Sequence, residues 1–321
     1  MSATPTFEVR ISSAREVADG IRELTFTRAD GEEFPRFSGG SHIVLQLPLG
    51  DRVHRNPYSL VGDPSDRHRW RIGVHRQAQS RGGSAWLHEQ ARPGMTLQVS
   101  WPLNLFPIVR TARHHVLVAG GIGITPILSQ ARQLTELGLP YELHYAFRSE
   151  AVAAFLDELH ALGGGPVTTH DLSKGQMLSF TDLLSGRPLG THFYICGPKG
   201  MIDDALATGR RLGWPPSTLH SEQFVTPPGG EPFEISLAKS GLRITVPADL
   251  SMLEALERAG VDAPSLCRGG ACGQCETEVL EATGELLHHD IYLSADERAS
   301  GKKIMPCVSR LQGGCTLVLN T

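Results

Sequence analysis

Residues 264–276 read PSLCRGGACGQCE, and this stretch decides the fold of the C-terminal part of the chain. Three of its cysteines follow a C-x4-C-x2-C spacing, and a fourth cysteine stands further along the chain in MPCVS. This spacing is typical of plant-type [2Fe–2S] ligands. Three glycines in the loop allow tight folding, so that backbone N–H groups point at the sulfurs. The predicted cluster ligands are Cys267, Cys272, Cys275 and Cys307.

Other cysteine sites fit this pattern less well. A structural zinc site usually repeats C-x2-C, and only one such pair is present. A Rieske cluster needs two histidine ligands, and no C-x-H occurs in the chain. We expect Cys315 in the core of the last strand, and His288 and His289 as a surface pair. Arg268 is a candidate for docking an acidic partner, with a solvated arginine as the other interpretation.

Length and composition indicate a multidomain protein that is not a nucleic-acid binder. The 321 residues suffice for two or three domains, and 40% of them are apolar. The net charge of −4 comes without a basic stripe for nucleic acid. The N-terminus lacks a signal-peptide pattern, and no apolar run is long enough to span a membrane. We expect a soluble, cytoplasmic protein that is monomeric on its own, in which clustered cysteines serve as ligands instead of disulfides.

Three segments with different sequence patterns indicate three domains. Residues 1–108 alternate β-branched stretches with Gly, Pro and Asp, which is typical of a small antiparallel barrel or sandwich. Residues 109–225 alternate strands and helices, which predicts a parallel sheet. Residues 226–321 begin with the linker-like TPPGGEP and continue with a hairpin, a helix at 251–260 and the cysteine loop. In that helix, Ser251 and Glu254 form a predicted capping box.

The middle segment has the clearest periodicity. Short apolar runs predict strands at 114–120, 141–147 and 192–197. Helices are predicted at 125–138, 151–162 and about 200–212.

A glycine turn in this segment, within VLVAGGIGITPIL (116–128), is a candidate phosphate site. Thr125 is the expected N-cap of the following helix, and Pro126 fits the first helical position. A bare glycine turn at a helix N-terminus binds phosphate, although the third glycine of the usual dinucleotide fingerprint is absent. Simple chain reversal therefore remains an alternative. The predicted contacts are Gly120, Gly121, Gly123 and Thr125.

A second glycine turn lies in YICGPKGM (194–201), and it contains Cys196, Gly197 and Pro198. Both turns follow strands, and ligands of open α/β sheets bind at the carboxyl ends of strands. For Cys196, an ordinary buried thiol and a place beside a nicotinamide ring are both open.

Two stretches of the first segment are candidates for holding a flat ring and its phosphate. HRNPYSLVG (54–62) places Arg55, Tyr58 and Ser59 near a strand, where the tyrosine could lie along a ring. QSRGGSAWLH (79–88) is a glycine turn before a helix with Ser84 as expected N-cap. A tyrosine in a barrel core and a solvated turn are the alternatives. The candidate phosphate contacts are Arg81, Gly82, Gly83 and Ser84.

Taken together, these motifs resemble the phthalate dioxygenase reductase family over nearly the whole chain. RNPYSL resembles the R-x-Y-S flavin motif of that family, with one extra residue before Tyr58. SRGGS resembles its flavin-phosphate turn, GGIGITP its dinucleotide turn and ICGP its C-G-P motif. The cysteine set resembles its plant-type ferredoxin domain. The order of the motifs, flavin then nucleotide then ferredoxin, is the most specific part of the resemblance.

The resemblance implies a fold and a function. It implies an antiparallel flavin-binding β-barrel, a parallel α/β nucleotide-binding domain and a β-grasp ferredoxin domain. It implies FMN, NADH and a [2Fe–2S] cluster, with electrons passing to a partner Rieske-type oxygenase. It implies that Tyr58, Ser59 and Cys196 act at the site of hydride transfer, and that the aromatic ring of Phe224 covers the flavin.

Several points stay open at this stage. Arg148 and Ser149 follow the second predicted strand and could accept a 2′-phosphate, so NADPH is an alternative to NADH. A cytochrome P450 is an alternative acceptor. A ferredoxin-like carrier without hydride chemistry and a structural zinc protein are the alternatives from other functional classes.

Overall fold

A computed structural model describes residues 5–50, 52–78, 81–225 and 228–321. They form two compact units, Thr6–Gln223 and Phe224–Thr321. Some positions of the predicted turn and linker lie outside the described residues, namely Gln79, Ser80, Thr226 and Pro227.

The N-terminal part of the larger unit is an antiparallel barrel. Its elements are β1 (Thr6–Ala18), β2 (Ile21–Arg28), β3 (Ser41–Leu49), β4 (Arg52–Ser59), β5 (Trp70–His75), α1 (Gly83–Glu89), β6 (Thr96–Ser100) and β7 (Leu103–Asn104). The strand order is β4-β3-β6-β1-β2-β5, with β7 beside β3. An antiparallel bridge between Leu60 and Ile72 joins the two edges. The interior is apolar, and Trp70 stacks on Phe34 with 4.2 Å between ring centroids.

A parallel sheet follows in the same unit. Its strands are β8 (His114–Gly120), β9 (Tyr141–Phe147), β10 (Val167–Asp171), β11 (Thr191–Cys196) and β12 (Leu219–Glu222). The helices are α2 (Ile124–Glu136), α3 (Leu156–His160), α4 (Phe180–Leu184) and α5 (Lys199–Arg211). The order is β10-β9-β8-β11-β12. Successive strands are added on one side of β8 up to β10 and then on its other side from β11, so the strand order reverses between β8 and β11. Ligands of such sheets bind at this switch point, beyond the carboxyl ends of the strands.

Some predicted helix details were wrong. The helix predicted at 151–162 is a 3-10 turn at Glu150–Val152 followed by the short α3. Phe155 interrupts it with a left-handed φ of 63° and a buried ring. Ser84 and Thr125 are second helical residues, because Gly82 and Gly123 occupy the N-cap positions. Helix α2 ends two residues before the predicted end, with Leu137 as its C-cap and Gly138 following at a φ of 63°.

The smaller unit is a mixed sheet packed against a helix, which is the predicted β-grasp arrangement. Its strands are β13 (Phe233–Leu237), β14 (Arg243–Val246), β15 (Thr277–Ala282), β16 (Leu286–Leu287), β17 (Lys303–Ile304), β18 (Arg310–Leu311) and β19 (Thr316–Leu319). The helices are α6 (Met252–Arg258) and α7 (Ala295–Ser300). The order is β14-β13-β19-β15-β17, with β16 paired to β18. The predicted hairpin and the Ser251–Glu254 capping box are both present. Within the described ranges, no helix combines the length and apolarity needed to cross a membrane.

Candidate cofactor sites

The four predicted cluster cysteines meet in the smaller unit as two thiol pairs. Cys275 Sγ lies 3.2 Å from Cys307 Sγ, and the thiols of Cys267 and Cys272 hydrogen-bond to each other. Three of these side chains are buried, and Cys272 is half-buried. The long segment between Cys275 and Cys307 therefore returns the fourth thiol to the loop that carries the other three.

The loop backbone favours the thiolate form that iron requires. The Cys272 thiol lowers the pKa of Cys267, and its own pKa is raised by the same contact. The N–H groups of Gly269, Ala271 and Cys272 also lower the pKa of Cys267, against burial. The amide nitrogen of Gly269 lies 3.4 Å from the Cys267 sulfur. N–H groups aimed at sulfur are typical of iron–sulfur sites, so the donor set fits a cluster.

Two glycines in the loop are required by close contacts. Gly273 has a φ of 76°, and a Cβ there would lie 2.3 Å from the ring of Tyr292. Gly270 has a φ of 72°, and its Cβ would lie 2.6 Å from Val308 Cγ2. A side chain at either position would push the loop away from its support.

The arrangement of the four cysteine thiols as two pairs bears on whether the site would hold one zinc ion or a [2Fe–2S] cluster. Among the described residues, no group of three or more His, Cys, Asp or Glu side chains is arranged to hold one metal ion. A mononuclear zinc site needs four ligands around one ion, whereas each iron of a [2Fe–2S] cluster takes two protein thiolates. The two thiol pairs, Cys267 with Cys272 and Cys275 with Cys307, match the second requirement.

Three smaller predictions about this unit need correction or refinement. Arg268 is buried and paired with the Glu257 carboxylate, so it is not an exposed docking residue. His288 is not a surface residue, because its side chain is largely buried beside Asp290. Cys315 directly precedes β19 and is half-buried against the core.

The predicted flavin strand is β4, and it runs antiparallel to β3. Its register places Ser59 opposite His42 and Tyr58 opposite Ile43. Asn56 Nδ2 donates a 3.0 Å hydrogen bond to the Tyr58 hydroxyl, whose pKa is raised to about 12 by burial. Tyr58 is therefore a neutral phenol, and part of its ring packs on the barrel core. Arg55 lies half-buried on the same strand.

The turn before α1 is tightly packed against β3 and β4. Gly82 has a φ of 105°, and a Cβ there would lie 2.8 Å from Leu49 Cδ1. The same addition at Gly83 would lie 3.0 Å from the His54 ring. Ser84 is buried, and its hydroxyl accepts a 3.4 Å hydrogen bond from the Gln77 amide. Arg81 precedes this turn and is half-buried.

The two glycine turns at the switch point touch each other. A Cβ on Gly197 would lie 3.1 Å from the Gly120 Cα, and a Cβ on Gly123 would lie 2.1 Å from the Cys196 carbonyl oxygen. Gly121 differs, because its φ is 54° and a Cβ there would meet open space. The Thr125 hydroxyl donates a 3.0 Å hydrogen bond to the Ile122 carbonyl, which ties the turn to α2. The result is a bare backbone cradle at the edge where α/β sheets bind nucleotides.

Cys196 lies inside this edge and is not reactive on its own. Its side chain is fully buried, and burial followed by the nearby Glu222 carboxylate raises the pKa of its thiol well above the usual value. Cys196 is therefore a neutral thiol. The exposed Pro198 begins the connection to α5.

Glu222 is the residue of this site to which sequence reasoning assigned no role. It ends β12 directly beside Cys196 in the parallel register. Burial raises the pKa of its carboxyl to about 8, and the Ser59 hydroxyl partly opposes this. Ser59 Oγ and Glu222 Oε2 are buried and make no hydrogen bond within 3.5 Å in the described part of the chain. The flavin strand and the nucleotide sheet thus bring two buried polar groups close to each other, beyond 3.5 Å, at a point where a bound ligand would satisfy them.

Glu222 should make the stability of the protein depend on pH. In the unfolded chain, the pKa of this carboxyl is about 4.3. Between that pH and about 8 the folded protein keeps a proton that the unfolded chain releases, so stability falls as pH rises through this window. Glu222→Gln should therefore melt several degrees above the unchanged flavin-free protein at pH 8.5, with a smaller gap at pH 5.5. Glu8→Gln, an exposed carboxyl on β1, is the control, and a gap that does not change with pH would contradict the assignment.

The predicted positions Phe224, Arg148 and Ser149 are not buried. Phe224 is 43% exposed. Arg148 and Ser149 follow β9, with Arg148 exposed and its carbonyl accepting a 3.0 Å hydrogen bond from the Ser173 amide. An exposed arginine at the end of a strand remains compatible with either nucleotide.

Family descriptions match two parts of the chain. Residues 235–312 match a 2Fe-2S iron-sulfur cluster binding domain. Residues 103–219 match the N-terminal domain of dimethylamine monooxygenase subunit DmmA-like proteins. The first match covers the cysteine loop together with its fourth cysteine, and the second covers both glycine turns.

Relatives match nearly the whole length of the chain. The chain is 46% identical to the heme-dependent oxidative N-demethylase beta subunit of Ectopseudomonas mendocina, covering 96% of each chain. It is 37% identical to the phthalate 4,5-dioxygenase oxygenase reductase subunit of Pseudomonas putida, covering 94% of this chain and 93% of that one. Among solved structures, phthalate dioxygenase reductase, which transfers electrons from pyridine nucleotides to [2Fe-2S], superposes with a TM-score of 0.85 at 35% identity over 98% of both chains.

Proposed function

Because this chain belongs to the phthalate dioxygenase reductase-like family, we propose that it carries electrons from NADH through FMN and a [2Fe–2S] cluster to a Rieske-type oxygenase. It is an NAD(P)H-dependent oxidoreductase, the reductase component of a multicomponent oxygenase system. The proposed domains are the FMN-binding barrel at 1–108, the nucleotide-binding domain at 109–225 and the ferredoxin domain at 226–321. We further propose that the protein is cytoplasmic and monomeric on its own.

The observation that carries this proposal is the meeting of Ser59, Cys196 and Glu222 at one buried point. Ser59 belongs to the flavin motif, and the other two end adjacent strands of the nucleotide sheet. A ring held along β4 and a nucleotide held by the glycine turns would face each other there. A hydride needs such direct contact between donor and acceptor, with reacting atoms about 3–3.5 Å apart.

The cofactors supply the redox chemistry when bound, since a flavin accepts a hydride and can deliver single electrons to a one-electron cluster. The chain binds and orients them. We propose that Arg55, Tyr58 and Ser59 hold the isoalloxazine ring and that the Arg81–Ser84 turn holds the FMN phosphate. Gly120, Gly121, Gly123 and Thr125 would cradle the dinucleotide, and Cys267, Cys272, Cys275 and Cys307 would ligate iron.

The polar groups at the buried point have distinct proposed roles. The neutral Cys196 thiol and the rest of the CGP turn would pack beside the nicotinamide and keep water out. Glu222 holds a proton at neutral pH, because burial raises its pKa to about 8. It can therefore donate a hydrogen bond to a ring or amide atom near Ser59. Phe224 remains a proposed cover for the flavin.

The proposed acceptor follows from the relatives, and the charge of the ferredoxin unit adds to it. Residues 224–321 contain 13 Asp and Glu against 8 Lys and Arg, which favours a partner with a basic docking face. A heme-containing acceptor is the second candidate, because the 46%-identical relative is the beta subunit of a heme-dependent N-demethylase.

Arg55→Ala should weaken FMN retention. Half-buried on β4 within the flavin motif, Arg55 is placed to contact the ring or its phosphate, and a charge-assisted hydrogen bond contributes about 1.5–3 kcal/mol. We expect the FMN dissociation constant to rise about 10- to 100-fold, measured by fluorescence titration of flavin-free protein. Arg10→Ala, an exposed arginine on β1, is the control. Equal flavin affinity in both variants would remove Arg55 from the site.

The proposed function is tested by following NADH-dependent reduction of cytochrome c, a one-electron acceptor, with FMN supplied. We expect turnover with NADH and much slower turnover with NADPH. Mixing the reduced protein with the oxygenase component of a phthalate system, or with the alpha subunit of the heme-dependent N-demethylase, then compares the two acceptors. Failure to reduce cytochrome c with either nucleotide would contradict the reductase function.

A further inference from the structure

A chain of alternating charges crosses from the barrel to the nucleotide sheet within the larger unit. Arg15 on β1 donates a 3.0 Å hydrogen bond to Glu23 on β2, and Arg71 on β5 donates another of 3.0 Å to the same carboxylate. Arg71 also donates two hydrogen bonds, of 2.9 and 2.6 Å, to the Glu158 carboxylate on α3. Arg132 on α2 pairs with Glu158 Oε2, the oxygen to which Arg71 donates one of these bonds. The Arg71–Glu158 pair is the link at which this chain passes from one sheet system to the other.

This link is an ion pair shielded from water. Glu23 is only 3% exposed, and the side chains of Arg71 and Glu158 are mostly covered. Burial by itself would raise the pKa of Glu158, yet the bonds and charges of Arg71 and Arg132 lower it. Planar, two-pronged arginine–carboxylate pairs fix relative orientation as well as distance. A single exposed ion pair would fix neither the orientation nor the distance.

The outer face of β5 makes a second contact two residues further along. Trp70, Ile72 and Val74 point into the barrel core, so Arg71 and Gly73 face the nucleotide sheet. A Cβ on Gly73 would lie 2.8 Å from Thr125 Cγ2 and 3.1 Å from the Phe155 ring. Strand β5 therefore contacts Thr125 directly, beside the dinucleotide turn. Any side chain at position 73 larger than that of glycine would push β5 away from Thr125.

The same strand is also fixed to the flavin strand. Leu60, which follows Ser59, bridges to Ile72 between Arg71 and Gly73. The Phe155 ring completes the contact, with the Arg71 guanidinium 5.9 Å from its centroid. The left-handed φ of 63° at Phe155 is a costly conformation for a bulky residue, and packing against β5 offsets it.

We propose that the outer face of β5, with Arg71 and Gly73 as positioning residues, sets the distance and angle between flavin strand and dinucleotide turn. This inference rests on the proposed function, because it assumes that a flavin and a nicotinamide react across that gap. Neither residue touches a cofactor in this account. They act through Glu158 and Thr125, and the quantity they control is the rate of hydride transfer at saturating nucleotide.

The test is anaerobic stopped-flow reduction of the flavin by NADH in the full-length, cofactor-loaded protein. Glu158→Gln and Gly73→Ala should lower the limiting rate about 10- to 100-fold, since a displacement near 1 Å can cost that much. The NADH dissociation constant should change less than about 3-fold, because neither substitution alters the glycine turns that would hold the dinucleotide. The primary isotope effect with 4-deuterated NADH should rise, as hydride transfer becomes more fully rate-limiting.

Matched controls separate positioning from general damage. Arg71→Lys keeps a positive charge between Glu23 and Glu158 but loses the planar grip, so it should also slow the limiting rate if Glu158→Gln fails to fold. Arg69→Lys makes the same change at an exposed pair within the barrel, 3.0 Å from Asp66, and Asp157→Asn removes an exposed carboxylate from α3. Both controls should react like the unchanged protein.

Two different failures can be told apart. If the unchanged protein shows no flavin reduction by NADH, the proposed function is wrong and the positioning role falls with it. If the unchanged protein is reduced but folded Glu158→Gln, Gly73→Ala and Arg71→Lys match its limiting rate within about 2-fold, only the positioning role is overturned. Loss of rate explained wholly by weaker NADH binding would also overturn it.

Discussion

Replacing Cys272 with serine is expected to remove the cluster while leaving reduction of the flavin by NADH intact. Cys272 shares a hydrogen bond with Cys267 in one of the two thiol pairs, and serine offers a far poorer iron ligand. Losing a partner outside the ligand set already costs about 10- to 100-fold in metal affinity, and losing a ligand should cost more. Cytochrome c reduction should therefore fall about 100-fold or more, whereas two-electron dyes should still be reduced by NADH.

The control for this experiment is Cys315→Ser. Cys315 is half-buried before β19 and belongs to neither thiol pair, so its replacement should leave iron content and cytochrome c reduction unchanged. Iron and sulfide analysis accompanies each assay. Retention of two irons in Cys272→Ser would show that another residue completes the site. Loss of dye reduction in the same variant would contradict the separation of hydride chemistry from the cluster.

Gly123→Ala should abolish efficient reduction by NADH without disturbing the cluster. An added Cβ would lie 2.1 Å from the Cys196 carbonyl oxygen and 2.9 Å from the Gly197 amide nitrogen. Both neighbours are backbone atoms that cannot rotate away, so the two glycine turns would have to separate. We expect the rate of flavin bleaching by NADH to fall about 100-fold or more, because this cradle sets the nicotinamide position.

Gly200→Ala is the matched control for this substitution. Gly200 lies in α5, which follows the second glycine turn, and a Cβ there meets nothing within 4 Å. Alanine is the better helix former, so this variant should be as stable and as active as the unchanged protein. Dithionite should reduce flavin and cluster in both variants. Wild-type bleaching by NADH in a folded Gly123→Ala protein would show that the nucleotide binds elsewhere.

The parts of this site that sequence could predict depend on short-range spacing. The C-x4-C-x2-C loop, the turn at Gly120–Gly123 and the Ser251 capping box are each written within about a dozen residues. In such motifs the chemistry requires particular residue types at fixed spacings. In the cysteine loop, for example, three thiolates must reach the same cluster. The alternation of strands and helices predicted the parallel sheet, and the family resemblance that these motifs carry implied the flavin-binding barrel and the β-grasp domain.

The parts that sequence could not predict depend on distant partners. Arg71 and Glu158 are 87 positions apart, and nothing in either local pattern indicates their pairing. Glu222 ends a four-residue, half-buried strand that is too short for a periodic signal, and its raised pKa comes from burial within the folded unit. Arg268 reads as a surface residue until α6 brings Glu257 beside it. Phe155 broke a predicted helix because its ring packs against β5.

The central claim is that one chain moves electrons from NADH through a flavin to a [2Fe–2S] cluster. The most direct measurement is the visible absorption spectrum of the purified protein, supplied with FMN and titrated anaerobically with NADH. We expect flavin bands and a broad red-brown iron–sulfur absorption that both bleach on addition of NADH. A protein that takes up no FMN, or whose bands NADH leaves unchanged while dithionite bleaches them, would contradict it.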